Sequence, residues 1–125
     1  MNTPNQELVG EDLEVNHPEW GRSYVRNKRP AKATSFASDR IIIFQHGATY
    51  GSAAFDLPFN DLSWMDYAAQ RGFDAYCLDL PGYGHSERPS QMSEPAENTP
   101  PFMRTRAAAD CLGAVVDFVC ARRGV

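Results

Sequence analysis

Hydrophobic and polar residues are mixed in the first forty positions and segregated after them. Residues 40–45 (RIIIFQ) place four large apolar residues in a row, three of them β-branched, which predicts a strand buried on both faces, as in the middle of a parallel sheet. The run ends at His46-Gly47. Further on, Ser63 and Asp66 stand at capping-box spacing and Gly72 sits where a left-handed cap is wanted, so a helix is predicted over about 64–71. Residues 73–80 (FDAYCLDL) then read as a second strand, and the short interval makes a strand, helix, strand crossover. A turn at residues 81–84 (PGYG) opens a Pro, Ser and Glu-rich loop to about residue 101, placed as a rim or lid base. From about 103 to 123, Ala108, Cys111, Leu112, Val115, Phe118 and Val119 recur at three- and four-residue steps, the stripe of one helix. Arg122 and Arg123 suit its negative end and Gly124 its cap, and Val125 reads as the first residue of another strand.

The earlier residues carry less pattern. Residues 1–17 are polar and aperiodic, compatible with a mobile tail or with an edge strand, and residues 23–28 (SYVRNK) suggest a short strand. The expected organisation is a polar amino-terminal segment over 1–22 and one domain over 23–125.

Composition narrows the function classes. With 125 residues, 42% hydrophobic and 22% charged, the chain has the balance of a single soluble domain. A net charge of −4 with scattered Lys and Arg offers no basic surface to nucleic acid. Cys77, Cys111 and Cys120 show no metal-site spacing and read as reduced core thiols, so no metal is expected. The first residues hold no apolar leader core and no run approaches the length of a membrane span, which makes a cytoplasmic location without a membrane partner the expectation.

Two turns carry the chemical signal: a strand ending in His46-Gly47, and a strand ending in Asp79-Leu80-Pro81-Gly82-Tyr83-Gly84-His85-Ser86. Together they resemble the α/β-hydrolase superfamily, whose third strand leads into an HG turn and whose fourth ends in D-x-x-G-x-G-x-S. The resemblance covers residues 40–125. It implies an α/β fold, a mostly parallel sheet with flanking helices, truncated before the fifth strand and so before the nucleophile turn. Acyl transfer develops charge on a carbonyl oxygen, and backbone N–H groups fixed beside it stabilise that charge. The resemblance assigns one such donor to Ala48, in a loop shaped by Gly47, with Thr49 and Tyr50 lining the substrate pocket. His46 is expected to buttress the loop and not to act as a base. Asp79, Gly82, Gly84 and Ser86 are expected to be structural: Ser86 lies in no G-x-S-x-G, and its turn needs polar groups to satisfy its backbone. A dinucleotide fingerprint is disfavoured because its third glycine falls at Glu87 and Arg88-Pro89 blocks an immediate helix.

The parent activity implied is hydrolysis of carboxylic esters or related acyl bonds by a serine nucleophile, with a small-molecule substrate and no cofactor. This chain would supply the oxyanion loop only and would be inactive alone. The alternatives are an epoxide hydrolase or dehalogenase with an Asp nucleophile, or a non-catalytic fragment or assembly module needing a carboxyl-terminal partner. Residues 41–44 are expected to form an open sheet edge through which the chain self-associates.

Overall fold

The structure, a computed structural model, describes residues 6–59 and 63–125. Two ten-residue strands, β1 (Leu8–His17) and β2 (Gly21–Pro30), form an antiparallel hairpin paired along its whole length, from Leu8 opposite Pro30 to His17 opposite Gly21. Gly21 takes a left-handed φ of 94° where the chain leaves the turn, a conformation glycine adopts without steric cost. β3 (Ile41–Gln45), α1 (Trp64–Gln70) and β4 (Asp74–Asp79) form the expected crossover, with β3 and β4 parallel, and α2 (Thr105–Arg123) follows the long loop. The strand order is β1-β2-β4-β3.

Two expectations are corrected. The sheet is mixed: β1 with β2 and β2 with β4 are antiparallel, and only β3 with β4 is parallel, so it is not mostly parallel. The hairpin is the cause, since its strands take part in two antiparallel pairings against the single parallel pairing of the crossover. Nor is β3 buried on both faces. All five of its residues are half-buried, because among the described strands β4 alone pairs with it and the helices make their main contacts with β1, β2 and β4. The strand buried at every position is β4, at the sheet's interior.

β4 also explains the two-sided core. Its side chains alternate between faces: Tyr76 and Leu78 join Val15, Val25, Val115 and Val119 under α2, whereas Ala75 and Cys77 meet Met65 and Ala68 of α1. Each large side chain so buried stabilises by roughly 1.5–3 kcal/mol. Ile41 and Ile43 extend the first cluster and Ile42 and Phe44 the second, following the same period of two.

Local signals place the helices. The Ser63 hydroxyl accepts from the Asp66 amide at 3.0 Å and caps α1, while Gly124, at a φ of 70°, caps α2. The end of α2 is tied to the sheet: the Arg123 guanidinium donates to both oxygens of Asp74, at 2.7 and 3.0 Å, and Asp74 also accepts from Asn27 and Tyr76, both at 2.8 Å. Burial, with Asp74 beside it, raises the Tyr76 hydroxyl to about 12. Burial likewise pushes the thiols of Cys77 and Cys111 up to about 11, and the described cysteines are all free.

Candidate functional site

Two loops leave the carboxyl ends of the parallel strands side by side, one after β3 (residues 46–56) and one after β4 (residues 80–87). Parallel pairing brings these ends together although their residues are far apart in sequence. Three polar links then join the loops. The Leu80 amide donates to His46 Nε2 at 3.0 Å, the Ser52 amide donates to Asp79 Oδ1 at 2.7 Å, and the Tyr83 hydroxyl donates to the Ala48 carbonyl at 2.8 Å.

The second loop is built around Asp79, whose side chain is fully enclosed. One carboxylate oxygen takes the Ser52 amide and the other the His85 amide at 3.0 Å. Ser86 uses its hydroxyl twice, donating to the Asp79 carbonyl and accepting from the Tyr24 amide at 2.7 Å. It is buried and committed to backbone in both directions. Gly82 and Gly84 hold left-handed φ values of 94° and 48°, and a Cβ on Gly84 would overlap the Asp79 carboxylate. The sequence motif thus gathers into one turn held by the side chains of Asp79 and Ser86.

The first loop is different. His46 is buried and its ring stands 4.6 Å from the Tyr83 ring. Since Nε2 accepts from Leu80, the ring proton sits on Nδ1, which lies 2.7 Å from the Gly47 carbonyl and donates to it. That carbonyl belongs to the same peptide plane as the Ala48 N–H, so His46 sets the direction of both. Gly47, Ala48, Thr49 and Tyr50 are exposed, Tyr50 at 75%. Among the described residues no acceptor takes the Ala48 N–H. A Cβ built on Gly47 meets nothing within 4 Å, so the protein interior does not demand glycine there.

Cavities flank this peptide on both sides. One of about 350 Å³ lies between Ala48, Tyr50, Ala54 and Phe55. The other, of about 410 Å³, runs from Ala48 and Tyr83 to Met103, Thr105 and Leu112 at the start of α2. The α2 residues and the Tyr83 link escape sequence reading, because no local pattern ties position 48 to either.

The far end of the first loop is held by charge. Asp56 receives Arg26 Nε and Lys28 Nζ, each at 2.5 Å, and Lys28 also reaches Asp66 of α1 at 2.7 Å. Burial opposes ionisation of Asp56, but the hydrogen bonds from Lys28 and Arg26 outweigh it and hold the carboxyl below its ordinary range. Lys28 is held above its own range by its hydrogen bonds to Asp56 and Asp66, again against burial.

Among the described residues no serine or cysteine is hydrogen-bonded to a histidine ring, no group of three His, Cys, Asp or Glu could hold a metal, and no helix is long and apolar enough to cross a membrane.

No protein-family model matches the sequence, and no curated protein does. Solved structures do. Hypothetical protein PA2218 from Pseudomonas aeruginosa superposes with a TM-score of 0.66 at 14% identity, over 94% of this chain and 32% of that one. A proposed lipase from Sulfolobus solfataricus gives 0.55 at 13% identity, over 99% of this chain and 38% of that one. A novel bacterial esterase gives 0.46 at 16%, over 90% and 50%. The chain therefore spans about a third of the length of the first two proteins it resembles, and what it shares with them is its fold.

Proposed function

We propose that this chain supplies the oxyanion loop of an α/β-hydrolase that cleaves carboxylic esters or related acyl bonds through a serine nucleophile. The observation that carries the reading is the Gly47-Ala48 peptide, oriented by the buried His46 and presenting the uncommitted Ala48 N–H between two cavities. A preorganised donor of this kind needs no rearrangement when charge develops on a substrate oxygen. Thr49 and Tyr50 line the same opening and would contact the acyl substrate. The open space beside Gly47 would allow a substrate to reach the backbone.

The nucleophile and base would come from outside these residues, so the chain by itself should show no saturable hydrolysis of p-nitrophenyl acetate. Turnover abolished by a serine-directed phosphonate would overturn the assignment of a loop-only role. In a polypeptide that adds the nucleophile turn to these residues, Gly47→Val should lower kcat about 10²- to 10³-fold, the cost of one lost oxyanion donor, with little change in Tm. An unchanged kcat would remove Gly47 and Ala48 from the oxyanion site.

A second reading is an assembly module that needs a partner to complete its sheet, in which β3 pairs with β4 alone among the described strands. Reading the coding sequence beyond residue 125 discriminates the two: a strand followed by G-x-S-x-G supports the enzyme, and a stop without one supports the module.

A further inference from the structure

We infer that Tyr83 is a positioning residue for the Ala48 donor: its hydroxyl, carried by the turn after β4, fixes the Ala48-Thr49 peptide and so keeps the Ala48 N–H in one direction while charge develops on a substrate oxygen. The role rests on the oxyanion assignment of Gly47 and Ala48 and adds a residue to it.

The loop after β3 does not orient this peptide with its own backbone. Among the described residues no backbone–backbone hydrogen bond involves positions 47–50, and Gly47, the most permissive residue type, stands directly before the donor. Two side chains supply the missing restraint. His46 Nδ1 donates to the Gly47 carbonyl at 2.7 Å, which sets the peptide plane entering Ala48, and the Tyr83 hydroxyl donates to the Ala48 carbonyl at 2.8 Å, which sets the plane leaving it. Because each peptide is planar, the two soft dihedrals of a residue are the rotations between its flanking planes. Fixing both planes therefore fixes both dihedrals of Ala48. With the histidine alone, the donor peptide would be tethered on one side only and free to rock.

Tyr83 is itself held by parts that do not move with positions 47–50. Its N–H donates to the Leu80 carbonyl at 2.9 Å and its carbonyl accepts the Ser86 amide at 3.0 Å. Its ring is half-buried and lies against the His46 ring, with the two planes 49° apart. The two positioning side chains thus brace each other, and the reach of the hydroxyl is set by the buried turn. A purely structural tie would be redundant here. The Ser52 amide on Asp79 and the Asp56 carboxylate on Arg26 and Lys28 already anchor the loop further along the chain, and both survive loss of the Tyr83 hydroxyl. Removing that hydroxyl should therefore misdirect one N–H without releasing the loop.

Tyr83→Phe tests this, because it keeps the ring against His46 and removes the donor alone. Backbone ¹⁵N relaxation on the full chain gives a readout that needs no turnover. The order parameters of the Ala48 and Thr49 amides should fall from about 0.85 to below about 0.6 in the variant, while those of His85 and Ser86 hold. In a polypeptide that adds the nucleophile turn to these residues, Tyr83→Phe should lower kcat about tenfold, since misaiming a donor costs less than the loss of about 10²- to 10³-fold on removing one. KM should stay within about twofold and Tm should not change, the signature of an interaction felt in the transition state. Gly47→Val in the same polypeptide separates the two assignments. If it lowers kcat and Tyr83→Phe does not, Tyr83 has no positioning role and the oxyanion loop stands. If neither lowers kcat, the oxyanion loop fails and Tyr83 with it. Unchanged order at Ala48 and Thr49 overturns the positioning role whatever the rates do, and so does a fall in kcat that comes only with partial unfolding at the assay temperature.

Discussion

The loops after β3 and β4 begin as neighbours at the same end of the sheet and differ in almost every other respect. In the later one, Asp79 and Ser86 are buried and their side-chain oxygens all have partners within the fold, down to the Ser86 hydroxyl that both donates and accepts. In the earlier one, residues 47–50 are exposed and the Ala48 N–H takes no acceptor among the described residues. Buried side chains such as Asp79 and Ser86 must find partners within the fold because water cannot reach them, whereas an exposed peptide can leave a donor for a ligand. The difference teaches which loop holds the architecture and which can do chemistry: the turn richest in motif residues is the scaffold, and the plainer one is the candidate site.

Substitutions can break or sharpen that contrast. The largest effect is expected from Gly84→Val. A left-handed φ costs a β-carbon residue about 1–2 kcal/mol, and the new side chain would displace Asp79 from the Ser52 and His85 amides, each such unsatisfied donor costing about 1–3 kcal/mol. A loss of about 4 kcal/mol by urea unfolding is expected, and a loss below about 1 kcal/mol would show that the turn is not the scaffold.

Next comes Asp56→Asn, which weakens the links to Arg26 and Lys28. The expected loss is about 2 kcal/mol at neutral pH, within the range for hydrogen bonds to charged groups. Because the Asp56 carboxyl is held below its ordinary value of 3.8, its contribution is complete above that value and disappears as pH falls through the folded one. The variant and the parent should therefore converge in strongly acid solution, and a constant difference across pH would argue against the ion pairs. Smallest of all is Gly47→Ala, whose Cβ enters open space: stability should change by less than about 0.5 kcal/mol. A large loss there would mean that the first loop is structural too.

How much of this was legible depended on sequence distance. The crossover was legible because its signals are local: the run at 41–44, the Ser63 cap and Gly72 all act within a few residues. The same locality misled the reading of β3, since a continuous apolar run records that both faces are apolar and says nothing about how many strands flank it. Residues 8–17 are compatible in sequence with either a tail or the edge strand they form, because Glu11 and Asp12 break the apolar pattern, and their partners are Arg29, Arg122 and Arg26, up to 111 positions away. At the candidate site, the turn glycines and His46 were marked by motif. Tyr83 on Ala48 and the Asp56 cluster were not, because a hydrogen bond across 35 positions, or an ion pair across 30, leaves no periodicity to find.

The buried cysteines turn the molecule into its own clock. Cys77 lies in the middle of β4 and Cys111 on the buried face of α2, and both thiols titrate near 11, so at neutral pH neither offers much thiolate to an alkylating reagent. Each can react only when its element opens, and the two elements belong to different layers of the core. Labelling followed residue by residue by mass spectrometry would then time the release of the helix and the parting of the sheet separately.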